Sequence, residues 1–152
     1  LAEAAFLTGL VRNADVVHLA SYAPLFGHID GWQWSPNLIW VNNLKVMGTP
    51  EYYVQKLFST NKGTHLAKLT FGGNVLAGAD SLYASAVYDS LGRQLIIKVA
   101  NAKQAEEKLH VTLPASKNAT GVATIQQLQS SNLLMHNTFE NPDALLPQVM
   151  QK

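Results

Sequence analysis

Hydrophobic and polar positions keep a helical spacing in the first part of the chain and turn to alternation in the second. In Ala2–Arg12, the residues Ala5, Phe6, Leu7, Leu10 and Val11 recur three and four apart. That is the stripe of an amphipathic helix, with Arg12 and Asn13 as its stop. Asn13 also suits the N-cap of a second short helical turn over Ala14–Leu19, with Asp15 near its positive end. The apolar run Tyr22–Phe26 predicts a short strand with Pro24 at its edge or end. Gly27 and Asp30-Gly31 then deliver a stretch that holds all three tryptophans, Trp32, Trp34 and Trp40. Within it Ser35-Pro36 forces an extended or turn conformation. Leu38–Val41, taken alone, reads as a strand. Thr49-Pro50 opens a further helix, with Thr as N-cap, Pro at the first helical position and Glu51 in the first turn. Tyr53, Val54, Leu57 and Phe58 line one of its faces, and Asn61-Lys62-Gly63 ends it.

After Gly63 the period becomes two. Leu66, Leu69 and Phe71 suggest a strand ended by Gly72-Gly73-Asn74. Leu82–Tyr88 and Gln94–Ala100 predict a hairpin around Asp89-Ser90-Leu91-Gly92, with Asp early and Gly late in the turn. Glu107–Leu113 points Leu109, Val111 and Leu113 one way, and Val122–Leu128 alternates similarly. A last short strand ends near Val149, after a proline-bounded loop. The expected fold is mainly β: an antiparallel, jelly-roll-like sandwich over residues 64–152, preceded by an α/β portion over residues 1–63.

Composition narrows the function classes. Charged residues make up 14% of 152, against about 25% in an average globular protein, which favours much covered surface. A net charge of +1 without a Lys/Arg run gives no electrostatic footprint for nucleic acid. The apolar runs fall short of the roughly 20 residues that span a bilayer, so no membrane partner is expected. Cysteine is absent, which removes disulfides, thiolate metal sites and cysteine nucleophiles. The opening LAEAAFLTGLVR has no initiator Met or signal-like region, and reads as a cut inside a longer protein.

The titratable residues do not assemble into a catalytic set. Glu51 is a capping residue, Asp89 and Asp143 sit in turns, and Glu106 and Glu107 would face opposite ways on a strand. His18, His28, His65, His110 and His136 lack ligand spacing, so neither metal nor cofactor is called for. His28 is the one beside the aromatic stretch. No serine has a G-x-S-x-G context, and Gly72-Gly73 reads as a turn rather than a phosphate loop. The tryptophans remain. An indole offers an apolar face and an N–H donor together, which suits a sugar ring. Trp40, between Ile39 and Val41, reads as packing; Trp32 and Trp34, in a loop, admit sugar contact and packing alike.

Several stretches resemble the C-terminal part of α-L-arabinofuranosidases of glycoside hydrolase family 51. They are Leu1–Val17, Ala20–Leu25, Asn37–Trp40, Thr49-Pro50 with Tyr52–Ser59, and Asn137–Pro142. The resemblance implies a (β/α)8 barrel followed by a β-sandwich. It implies retaining hydrolysis of terminal arabinofuranosyl groups of hemicellulose or pectin by two carboxylates about 5–5.5 Å apart. Both catalytic glutamates of the family lie on strands before the point matched by Leu1, so no catalytic residue is carried over and the chain alone is expected to be inactive. Leu1–Arg12 corresponds to the seventh barrel helix, Tyr22–Phe26 to the eighth strand and Pro50–Thr60 to the eighth helix. The tryptophan stretch then lies in a loop on the face where such barrels keep their active sites. Asn37 matches a position at which relatives carry an amide near the substrate, so Asn37, Trp32 and Trp34 are the candidate substrate-binding residues. The implied partners are the upstream barrel of the same protein and an arabinose-containing polysaccharide or oligosaccharide, with a homo-oligomer possible. The family suggests a secreted or periplasmic protein with its signal upstream. Two readings stand beside it: a non-catalytic carbohydrate-binding sandwich, and a purely structural one.

Overall fold

A computed structural model describes residues 1–113 and 123–151. The first helix, α1, runs Ala2–Arg12 as its stripe predicts, and the Asn13 side chain donates to the Gly9 carbonyl at 2.8 Å to close it. The second helical stretch shrinks to a single turn, in which Val16 and Val17 donate to the Asn13 carbonyl. Beyond it the chain is irregular, and Leu19 is 90% exposed. With no apolar surface to cover the Val16–Leu19 side, a short helix has nothing to hold it.

Three short strands follow: β1 (Phe26–His28), β2 (Ile39–Val41) and β3 (Val46–Gly48). β2 is central, parallel to β1 and antiparallel to β3. The regular ladder therefore starts at Phe26, where the Tyr22–Phe26 reading ends. Pro24 and Leu25 contribute only carbonyls, which accept from Leu38 and Ile39. Leu38–Val41 is a strand, as its own pattern indicated. The second helix, α2 (Pro50–Thr60), begins with Thr49 as N-cap and Pro50 at its first position. The Thr49 hydroxyl accepts from the Tyr52 amide at 3.3 Å and donates to the Leu38 carbonyl at 2.9 Å, so one side chain caps α2 and ties it to β2.

The second part is antiparallel. β4 (His65–Ala67), β5 (Leu82–Asp89) and β6 (Gln94–Asn101) form one sheet in that order, and β7 (Thr124–Gln127) pairs with β8 (Gln148–Gln151). The β5–β6 turn is held by the Asp89 carboxylate, which accepts from the Leu91 and Gly92 amides. The mainly β, antiparallel character expected after the α/β portion is thus present. Two expected strands differ. The Leu66–Phe71 alternation yields only the three residues of β4, with Leu66 and Phe71 exposed. Glu107–Leu113 joins no ladder among the described residues, and Leu109, Val111 and Leu113 are exposed; alternation predicts a strand only where a partner edge is free to receive it. Val122, part of the expected Val122–Leu128 strand, lies outside the described residues, as does Lys152.

The core forms where α1 crosses β5 and β6. Ala84, Ser85 and Ala86 are all buried; Ala84 and Ala86 share one face of β5 and Ser85 lies on the other. Thr8, on the facing helix, is 0% exposed. Arg12 clamps the contact: its guanidinium donates to the carbonyls of Ala84 at 2.8 Å and Leu76 at 3.3 Å, and to the Thr8 hydroxyl at 3.1 Å. Here β4 pairs with Ala86–Tyr88 and the Leu76 segment with Tyr83 and Ala84, so Arg12 caps the edge of β5 between them. At the other end, Lys98 on β6 donates to the Phe58 carbonyl at 3.3 Å and lies over the Phe58 ring at 4.7 Å. A cation at a helix C-terminus is favourable, and burial lowers the lysine pKa.

Candidate functional site

The sequence-predicted residues collect on the β1–β2 crossover. A parallel pair cannot be joined by a tight hairpin, so residues 29–38 must leave the sheet edge and return, and the aromatic segment occupies that excursion. At its start the Gly31 amide donates to the His28 carbonyl at 3.1 Å. The Asp30 amide donates to His28 Nδ1 at 3.2 Å. With Nδ1 occupied as acceptor, Nε2 carries the hydrogen and donates to Asn43 Oδ1 at 3.3 Å. His28 therefore joins the loop start to the β2–β3 turn.

Asn37 is 2% exposed, and its amide donates to the Trp34 carbonyl at 2.5 Å. It lies beneath the loop and fixes the Trp34–Asn37 turn. Gly27 is required alongside: a Cβ there would stand 2.7 Å from Asn37 Nδ2 and 3.1 Å from the Trp40 ring. Trp40 is half-buried and meets Trp32 edge-on, with centroids 5.9 Å apart and planes at 89°, the geometry that aromatic quadrupoles favour. Trp32 is 52% exposed and Trp34 70%. Gly27, Asn37 and Trp40 thus form a packed base, and two indoles stand out above it.

Beside them, His28 Nδ1 lies 3.9 Å from the exposed Asp30 carboxylate. Among the described residues no group of three or more His, Asp or Glu side chains could hold a metal. Glu3 accepts from Gln55, Glu107 pairs with Lys103 at 2.9 Å, and Asp89 is committed to its turn. Burial raises the Tyr22 phenol pKa, with Glu51 and then Glu3 adding to the effect; Tyr53 is raised by burial, then by Asp143 and Tyr52. Both phenols are weaker acids than usual and stay protonated near neutrality. A groove of about 420 Å3 lies elsewhere, between α2 and β7–β8, and is lined by Tyr53, Lys56, Gln126, Asp143 and Val149 among others. It contains none of Trp32, Trp34 or Asn37.

Comparison with known proteins assigns the chain. The family model described as the α-L-arabinofuranosidase C-terminal domain matches residues 1–152. The chain belongs to this family. α-L-Arabinofuranosidase 1 of Arabidopsis thaliana is 37% identical over 152 residues, covering 97% of the chain and 22% of the plant protein. The extracellular exo-α-L-arabinofuranosidase of Streptomyces chartreusis is 59% identical over 63 residues, 41% of the chain and 8% of that protein. A solved arabinose-bound α-L-arabinofuranosidase of family GH51 superposes with a TM-score of 0.85 at 32% identity, covering 97% of this chain and 23% of that one. The α-L-arabinofuranosidase C-terminal domain described here therefore spans about a fifth of the plant relative's length.

One buried residue outside the predicted set joins distant parts of the chain. Asn137 is 3% exposed; its amide donates to the Gly48 carbonyl at 2.9 Å and the Leu145 carbonyl at 3.3 Å, and its oxygen accepts from the Leu145 amide at 2.8 Å. Its stretch had stood out only by resemblance. Nothing in local spacing signals a bond across 89 residues.

Proposed function

We propose that this chain is the C-terminal segment of a retaining α-L-arabinofuranosidase acting on terminal arabinofuranosyl groups of hemicellulose or pectin. The catalytic carboxylates belong to the upstream part of the same protein. Residues 1–63 are the end of its barrel and residues 64–152 its β-sandwich. Trp32 and Trp34 contact the sugar, and Asn37 holds their loop in place from beneath. The observation that carries this reading is the pair of exposed indoles on a rigid base, in a chain whose carboxylates are otherwise engaged or scattered. The arabinose-bound relative supports the sugar class. Phe6, Val16, Leu19, Leu25 and Phe26 are exposed, and the upstream barrel covers them; without it, the isolated chain self-associates. The extracellular Streptomyces relative supports export of the parent protein.

The test uses an aryl α-L-arabinofuranoside. The 152-residue chain gives no turnover, and clear turnover would overturn the placement of the catalytic pair upstream. In the intact protein, Trp34→Ala raises KM roughly two- to tenfold, the value of one aromatic contact, and an unchanged KM removes Trp34 from the site. A non-catalytic carbohydrate-binding role rests on the same exposed indoles. It requires retardation of the chain on arabinan or arabinoxylan in affinity electrophoresis.

A further inference from the structure

We infer that Asn137 is a positioning residue for the aromatic loop, acting through β3 and β2 from the opposite end of the chain. The inference rests on the proposed sugar contact only for its kinetic consequence. Asn137 lies after β7 in sequence, yet its amide holds the carbonyl of Gly48, the last residue of β3. Two residues on, the Phe139 carbonyl accepts from Lys45 Nζ at 3.3 Å, just before the first residue of β3. The segment from Asn137 to Phe139 therefore braces β3 at both ends. In the register Gly48 faces Ile39 and Met47 faces Trp40, so β3 fixes the height of Trp40 in the sheet. Trp40 supports the edge of Trp32 and closes over Gly27 and Asn37. The Asn42 carboxamide oxygen accepts from both Leu44 and Lys45 amides, so the β2–β3 turn passes the constraint on without slack. The partners on the far side are equally fixed, because Asn137 exchanges two bonds with Leu145. A buried carboxamide satisfied three times over is a rigid joint, and here it joins the C-terminal tail to the strand beneath the indoles.

The test is made in the intact protein, with 5-fluorotryptophan incorporated and the Trp32 and Trp40 fluorine signals assigned by Trp→Phe variants. Asn137→Ser removes the brace at Gly48; Lys45→Met removes the exposed one at Phe139 and leaves the buried joint intact, so it serves if Asn137→Ser fails to fold. Asn61→Ala, which breaks the Asn61–Gln126 bond away from β3, is the control of general destabilisation. The expected result is movement of both fluorine signals in N137S and K45M but not in N61A. KM for an aryl arabinofuranoside then rises roughly two- to tenfold in N137S, the range of one lost buried hydrogen bond, with kcat within about twofold. Fluorine signals unchanged in N137S and K45M overturn the inference. Signals that move while KM stays constant support the joint and reject sugar contact at Trp32.

Discussion

Replacing Arg12 with methionine isolates the clamp between α1 and β5. Methionine keeps most of the apolar stem, so packing changes little and the loss falls on the guanidinium bonds. The bond to Ala84 at 2.8 Å is the main one, because that carbonyl points to the uncovered stretch of the β5 edge and Arg12 is its described partner. A hydrogen bond from a charged donor contributes about 1.5–3 kcal/mol. The Leu76 carbonyl still holds the Ala84 amide at 2.9 Å, and Thr8 still donates to the Ala5 carbonyl at 2.7 Å, so neither is orphaned. Loss of the cation from the last turn of α1 adds about 0.3–1 kcal/mol. The total is about 3 kcal/mol, or roughly 6–12 °C in Tm at this chain length. Thermal unfolding followed by circular dichroism measures it. Arg12→Lys retains the helix-end charge and one donor, and recovers about half. A Tm for Arg12→Met within about 2 °C of the parent would refute the idea that the β5 edge depends on this side chain.

Ser85 and Lys98 give predictions of opposite character. The Ser85 hydroxyl is buried with no hydrogen-bond partner among the described residues, so Ser85→Ala removes an unsatisfied group and raises stability by about 1 kcal/mol. Urea unfolding checks this, and a loss of that size would show that the hydroxyl is bonded. Lys98 has a pKa below its ordinary 10.5 because burial penalises the ammonium. Between its folded and unfolded pKa the unfolded chain holds the extra proton, so stability contributed by this group rises with pH up to about 10.5 and is flat below the folded value. Lys98→Met removes that rise, visible as the difference between parent and variant in unfolding experiments across the alkaline range.

Much of the local structure was legible. The stripe in Ala2–Arg12 and the Thr49-Pro50 start marked both helices, because caps and period are properties of adjacent residues. Asp89 and Gly92 marked the hairpin for the same reason. Glu107–Leu113 alternates as cleanly and joins no ladder among the described residues, since a ladder depends on a partner edge that alternation does not specify. The site divides the same way. The indoles were visible as residue types in a loop, and Asn37 only through the family resemblance. That Asn37 lies beneath the loop, and that Asn137 reaches β3, follows from long-range packing that no window of sequence contains.

The clamp at Arg12 also has a history within each molecule's synthesis. Arg12 and Ala84 are 72 residues apart, and a ribosome adding about 5–20 residues per second needs roughly 4–14 s to make the second after the first. Throughout that interval α1, an eleven-residue helix too short to persist alone in water, has no β5 to lie on. Its partner hairpin, built from neighbouring residues, closes soon after it emerges. The helix made first is thus completed late, and until then its apolar stripe must be sheltered by whatever has already folded ahead of it or by a chaperone.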